Sequence, residues 1–157
     1  MFDLTVDYFN SIMRALPAII MVSSIIETVQ GYEKILFPLT LVGSEIISRI
    51  LKYVSKGLLN DYGERPHGAT NCGIFVSPLN CNKMAISYGM PSGHAQFMWT
   101  AATYQFLLNK PASSIYIGLA LTVSISRYYL GCHSIDQIIV GMIAGIIVGY
   151  ISIFMFT

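Results

Sequence analysis

Apolar residues dominate five stretches of the chain, and each is close to the length of a membrane-crossing helix, about 17 to 25 residues. The stretches are 12–29, 35–54, 92–108, 113–130 and 135–156. The last two are the most apolar, whereas the first three are short or carry polar residues, which is typical of helices that pack against protein. We therefore predict an all-α fold, a multi-pass transmembrane bundle of about five spans in a single domain covering 1–157.

One long polar segment, 55–90, separates the second span from the third. It is rich in glycine, proline, asparagine and aspartate and has no helical or alternating apolar period, so we predict a long interfacial loop. Loops of this length are usually functional or disordered. With five spans, this loop and the start of the fifth span lie on the same membrane face as the N-terminus.

The composition excludes several classes of protein. Of 157 residues, 54% are hydrophobic and 11% are charged, whereas a soluble domain carries about 25% charged residues. A soluble enzyme is therefore excluded. A net charge of +1 gives no basic surface for nucleic acid, and we predict no nucleic-acid partner.

Basic residues and a helix start converge on the face that carries the loop. Lys56, Arg65 and Arg127 place positive charge there, and the guanidinium fork matches phosphate oxygens. We expect Pro91 in the first turn of the third helix, so that Ser92 and Gly93 present free backbone N–H groups to an anion.

Two histidines on the same face supply acid–base and nucleophilic groups. His133 and Asp136 are three positions apart and share one face of a helix. A carboxylate there could fix the imidazole tautomer and strengthen the other nitrogen as a nucleophile. His94 is then available as the general acid for a leaving group. This inventory suits phosphoryl transfer.

The pattern resembles the type 2 phosphatidic acid phosphatase superfamily, which is related to the vanadium haloperoxidases. Its signature is Lys-x6-Arg-Pro, then Pro-Ser-Gly-His, then Ser-Arg-x5-His-x3-Asp. We assign the second element to 91–94 and the third to 126–136. The first element departs from the pattern, because the position separated from Arg65 by six residues is occupied by Leu58. Either an insertion displaces Lys56, or two arginines suffice; Lys52 is earlier still.

The resemblance implies a two-step reaction that requires no metal and no cofactor. His133 would form a phosphohistidine, Asp136 would orient it, and His94 would act as acid and then as base. The remaining site residues would hold the phosphate oxygens: Lys56, Arg65, Ser92, Gly93 and Arg127.

The segments GMPSGHAQFMW, 89–99, and SRYYL, 126–130, are most similar to the dolichyl-diphosphatase branch. That similarity implies hydrolysis of a polyprenyl diphosphate to the monophosphate. The alternatives are a phosphatase for phosphatidic acid or another glycerolipid phosphate, and a non-catalytic membrane protein that retains the fold.

The family resemblance also implies a location. It favours an endoplasmic-reticulum-like or bacterial inner membrane, with the active site facing the lumen or periplasm. A count of Lys and Arg by the positive-inside rule gives the opposite orientation.

Three further features leave alternatives open. Gly141, Gly145 and Gly149 could pack within the monomer, which we favour, or form a homo-oligomer seam. Glu45 and Arg49 could form an intrahelical pair, which we favour, or bind a headgroup. Cys72 and Cys81 could form a disulfide if their membrane face is oxidising, or remain unpaired, which is commoner for such a pair; Cys132 is expected to serve packing.

Overall fold

The computed structural model describes residues 2–31, 35–69, 72–73 and 88–156. This part of the chain forms five α helices and one short 3₁₀ helix, Asn60–Gly63, and contains no strand. The α helices are α1 (Phe2–Val29), α2 (Leu36–Leu59), α3 (Gly93–Leu107), α4 (Ser113–Tyr129) and α5 (Ile135–Phe156). The all-α prediction is confirmed, and each predicted apolar stretch corresponds to one helix.

Within the residues that the structure describes, two helices are long and apolar enough to cross a bilayer, as judged by length and composition alone. These segments are Tyr8–Val29 of α1 and Ile135–Met155 of α5. Helix α4, expected to be one of the two strongest spans, has only 17 residues, which is at the short limit for a crossing. The number of five crossings remains a prediction.

Helix α3 occupies the centre of the bundle and packs against all four other α helices. Apolar and small side chains cover most of its surface, so that it buries residues on every side, including Ala95, Met98 and Ala102. Its Tyr104 ring stacks on Phe37 of α2, with the ring centroids 4.9 Å apart. The central position of α3 holds its N-terminus in the middle of one end of the bundle.

The glycines of α5 face α3 within the same chain. A Cβ added at Gly145 would overlap the carbonyl oxygen of Gln96, and one at Gly149 would lie 2.8 Å from Thr103 Cβ. All three glycines are buried. The packing interpretation is thus correct, and the homo-oligomer seam through Gly141, Gly145 and Gly149 is wrong, because α3 already covers this surface.

The predicted loop begins later than expected. Helix α2 continues to Leu59 and the 3₁₀ helix follows at once, so the first nine residues of the predicted loop are helical. The C-terminal end of the predicted loop is anchored to the 3₁₀ helix, because the backbone N–H groups of Gly89 and Met90 both donate to the carbonyl of Gly63 at 3.1 Å.

A disulfide joins Cys72 of this loop to Cys132, which follows α4. The expectation that Cys132 serves only packing is therefore wrong. The alternative partner for Cys72, Cys81, lies outside the described residues. The bridge fixes the loop beside the start of α5, where His133 lies.

Candidate active site

His133 lies in the turn between α4 and α5, with 2% of its surface exposed. Its Nδ1 is 3.0 Å from Oε1 of Gln137, and its Nε2 is 3.1 Å from Nη1 of Arg65. Both ring nitrogens thus have a hydrogen-bonding partner, and these partners determine which nitrogen carries the proton.

Gln137 fixes the tautomer of His133. The Gln137 amide nitrogen donates to the carbonyls of Glu64 at 2.6 Å and Gly63 at 3.3 Å, so the amide oxygen must be the atom that faces the ring. An amide oxygen only accepts, so Nδ1 carries the proton. The Arg65 guanidinium only donates, so Nε2 holds the lone pair. The lone pair of His133 is therefore on Nε2, the nitrogen next to Arg65.

The expected pairing of His133 with Asp136 is wrong. Asp136 is exposed, and its Oδ2 accepts from the Tyr62 hydroxyl at 3.3 Å. The family signature has three residues between histidine and aspartate, and this spacing leads to position 137 rather than 136. Successive helical residues are rotated by about 100°, so only residue 137 faces the ring. Counting the spacing correctly would have identified Gln137 from the sequence.

The surroundings of His133 keep its ring neutral. Burial is the largest cause that lowers its pKa well below the usual 6.5, and the positive charges of Arg65 and Lys52 lower it further. The hydrogen bond with Gln137 acts in the opposite direction. A neutral ring retains the Nε2 lone pair that nucleophilic attack requires.

Lys52, not Lys56, is the lysine that reaches the site. Lys52 Nζ donates to the carbonyls of Tyr88 and Pro91, both at 2.8 Å, and the side chain lines the site cavity. Lys56 is exposed in the last turn of α2. It lies four residues, about 6 Å, further along the helix axis, outside the cavity lining.

Arg127 is completely buried at the end of α4. Its Nη1 makes one long hydrogen bond of 3.4 Å to the carbonyl of Cys72. Within the described residues, its Nε and Nη2 atoms have no hydrogen-bonding partner. A buried, incompletely paired cation is costly, so the surroundings of Arg127 favour an anionic ligand.

The start of α3 differs from the expectation. The helix begins at Gly93, with Ser92 as its N-cap and Pro91 before it, after a cis peptide bond. The N–H of Ser92 is not free, because it donates to the carbonyl of Gln137 at 2.9 Å. The Ser92 hydroxyl is buried and has no partner in the described part of the chain, so this hydroxyl, rather than the amide, is available for a ligand.

His94 lies in the first turn of α3 and is oriented by α1. Its Nε2 is 3.2 Å from the carbonyl oxygen of Arg14. A carbonyl only accepts, so Nε2 carries a proton there, and Nδ1 is the nitrogen left for proton exchange with a substrate.

A cavity of about 430 Å³ lies between the two histidines, and Ser92 and Arg127 are not among the residues that line it. His94, His133, Lys52, Arg65 and Gly93 all line it. Apolar residues of α1 and α3 form part of its wall, namely Pro17, Ala18, Met21 and Phe97. The cavity therefore combines a cationic end with an apolar side.

Glu45 and Arg49 also line this cavity, and they form the intrahelical ion pair expected from their spacing, at 3.2 Å. Both side chains are largely exposed, so the pair itself contributes little stability. Among the described residues, no group of three or more histidine, cysteine or acidic side chains is arranged to hold a metal ion.

Comparison with known proteins places this site in a family. The model of the PAP2 superfamily matches residues 35–157. The yeast Saccharomyces cerevisiae dolichyldiphosphatase is 39% identical over 79 residues, which are 43% of this chain and 33% of that protein. Lipid phosphate phosphatase gamma of Arabidopsis thaliana is 36% identical over 76 residues, 40% of this chain and 34% of its own length.

A longer match is the undecaprenyl-diphosphatase of Sulfolobus acidocaldarius, which is 32% identical over 117 residues, 73% of this chain and 53% of that protein. The chain thus spans between a third and about half the length of these relatives. No solved structure matches it. Because the family model covers most of the chain and includes every group of the cavity except those of α1, the chain belongs to the PAP2 superfamily.

Proposed function

We propose that this protein is a lipid phosphatase that hydrolyses a polyprenyl diphosphate to the monophosphate through a phosphohistidine at His133. The observation that carries the proposal is the buried Arg127 guanidinium, two nitrogens of which have no partner within the described residues. It is close to a neutral histidine whose Nε2 lone pair accepts from a second arginine. The names of the yeast and archaeal relatives support a polyprenyl diphosphate as the substrate.

In the first step, Nε2 of His133 attacks the terminal phosphorus. Arg65 must first release this nitrogen, and its N–H group can then donate to a phosphate oxygen instead. The N–P bond forms as the bond between phosphorus and the bridging oxygen breaks. His94 takes up a proton at Nδ1 once the anionic diphosphate is bound beside it, and it gives this proton to the departing lipid monophosphate.

In the second step, water attacks the phosphohistidine. His94, now neutral, accepts a proton from the water, and the P–N bond breaks to release inorganic phosphate. Gln137 holds the Nδ1 proton throughout, so that the lone pair returns to Nε2 for the next cycle.

Positive charge stabilises the transition state in both steps. Lys52, Arg65 and Arg127 surround the reacting histidine, and their charges act on it. The Ser92 hydroxyl and the Gly93 amide contribute donors at the start of α3. Lys52 supplies a cation to the cavity, so the departure from the Lys-x6-Arg-Pro element does not by itself favour a non-catalytic protein.

The Cys72–Cys132 disulfide supports placing the active site in an oxidising compartment. Disulfides persist in the lumen of the endoplasmic reticulum, the periplasm or outside the cell, and rarely in the cytosol. The bridge lies next to His133. This agrees with the lumenal or periplasmic orientation implied by the family, against the count of basic residues.

A direct assay tests the proposal. We expect the purified, detergent-solubilised protein to release phosphate from a polyprenyl diphosphate faster than from phosphatidate, with full activity in EDTA. Faster hydrolysis of phosphatidate would favour the glycerolipid alternative, to which the Arabidopsis relative's name points. A strict requirement for a divalent metal would contradict the mechanism.

A further inference from the structure

Arg14 is a cation close to the site that the reaction described above does not use. It lies six residues inside the apolar segment of α1, Tyr8–Val29. Residues 14, 17, 18 and 21 follow helical spacing, and the last three line the cavity. Arg14 is thus on the cavity side of α1, at the level of His94, whose ring contacts its carbonyl oxygen.

The Arg14 side chain lacks a counter-ion. Its Nε is buried and has no hydrogen-bonding partner among the described residues. In the same part of the chain, the one ion pair is Glu45–Arg49. The charge of Arg14 also repels that of Arg127. Two arginines that repel each other at the end of a largely apolar bundle are stabilised when an anion lies between them.

The order of groups along the reaction path indicates which anion this is. His133 attacks the terminal phosphorus, and His94 protonates the oxygen that bridges to the second phosphate. The phosphate that stays with the lipid therefore lies on the His94 side of the reacting phosphorus. Arg14 is adjacent to that side, because its carbonyl oxygen contacts the His94 ring and its charge acts on Arg127.

We propose that Arg14 binds the lipid-proximal phosphate of a diphosphate substrate and thereby selects diphosphates over monophosphates. This inference rests on the proposed function for its substrate. A lipid monophosphate has no group at this position, so Arg14 contributes to hydrolysis of the diphosphate and not to that of the monophosphate.

The test is Arg14→Gln, with Lys56→Gln as the control that removes an exposed cation from the same face. For Arg14→Gln we expect kcat/KM to fall about 10- to 100-fold on the diphosphate, as for the loss of a charged hydrogen bond. On a lipid monophosphate the change is less than about threefold. Lys56→Gln changes neither. Arg14→Lys retains the positive charge but loses the paired N–H donors of the guanidinium, so we expect an intermediate loss of kcat/KM on the diphosphate. This result would identify phosphate binding even if the glutamine variant folds poorly.

Ligand binding separates this inference from the proposed function, because it requires no turnover. Calorimetry in detergent compares methylenediphosphonate with inorganic phosphate. We expect the wild type to bind the diphosphonate more tightly, and Arg14→Gln to lose this preference alone. If Arg14→Gln weakened the binding of both ligands equally, or changed the affinity for neither, the inference would be overturned. If the wild type hydrolyses no diphosphate, the proposed function fails, whereas the binding preference still decides the role of Arg14.

Discussion

Two sets of polar residues occupy the same end of the bundle but have opposite surroundings. The inner set, Lys52 and Gln137, donates to backbone carbonyls and reaches the cavity or His133. The outer set, Lys56 and Asp136, is exposed. The sets differ by four residues on α2 and by one residue on α5. On α2 the difference is about 6 Å along the axis, and on α5 it is a rotation of about 100°. Proximity in sequence to a motif therefore does not place a side chain in the site.

The largest difference is expected between the two lysines. Lys52→Met removes a cation from the cavity and leaves the Tyr88 and Pro91 carbonyls without their donor. We expect kcat/KM to fall about 100-fold, as for the loss of one group that stabilises developing charge. Lys56→Met should stay within about threefold of wild type. Steady-state phosphate release from the proposed substrate measures both, and an equal loss in the two variants would remove the distinction between inner and outer lysines.

The two neighbours on α5 provide a second pair. Gln137→Leu removes the acceptor for Nδ1 of His133, so that the productive tautomer is no longer fixed, and we expect kcat to fall about 10- to 100-fold. Asp136→Asn preserves shape at an exposed position and should change kcat by less than about threefold. If Asp136→Asn were the more damaging variant, the original assignment of the carboxylate would be correct.

The pH profile sharpens the same comparison. In the wild type the lowered pKa of His133 keeps the ring neutral below pH 6.5, so its protonation does not limit kcat/KM there. Gln137→Glu places a carboxylate at Nδ1, which favours the imidazolium and raises the pKa. Because an imidazolium cannot attack, the acid limb of kcat/KM should move to higher pH. Both profiles use the same substrate, so ionisation of the substrate affects them equally. An acid limb that does not shift would indicate that residue 137 does not contact the nucleophile.

The smallest expected effect on catalysis comes from the disulfide, whose two cysteines accept hydrogen bonds from Arg65 and Arg127 through their carbonyl oxygens. Arg65 Nη1 donates to the carbonyl of Cys132 at 2.9 Å, and Arg127 Nη1 contacts that of Cys72. Reduction should lower stability by about 2–4 kcal/mol and kcat/KM by a few fold. The doubly substituted variant, with Cys72→Ser and Cys132→Ser, should resemble the reduced protein and not respond to reductant. Thermal unfolding in detergent with and without dithiothreitol checks this, and a wild type indifferent to reductant would contradict it.

Much of the fold follows from the sequence because the apolar stretches are long and well separated. The end of α3 at Leu107 lies one residue from the predicted end, and α5 has the predicted limits, 135–156. The extension of α2 to Leu59 was not predicted, because the segment after Val54 is polar and contains Gly57. Helical hydrogen bonds continue there despite this composition, and they carry Lys56 beyond the cavity.

The sequence predicted the histidines and arginines of the candidate site, but it did not predict their hydrogen-bonding partners. Spacing within a motif identifies His94, Arg127 and His133, since such spacing is local. The donors and acceptors come from elsewhere in the chain: Gly63 and Glu64 for Gln137, and Arg14 for His94. The Cys72–Cys132 bridge spans 60 residues, and a sequence alone does not indicate which of three cysteines lie within bonding distance.

Trapping the covalent intermediate tests the central claim most directly. The protein is mixed with substrate labelled with ³²P in the terminal phosphate, quenched in alkali within milliseconds, and analysed for protein-bound label. We predict label that is stable in alkali and labile in acid, located on His133, and absent from His133→Ala, which should also lose at least about 10⁴-fold in kcat. Turnover by His133→Ala at a rate near that of the wild type, or label on another residue, would contradict the account.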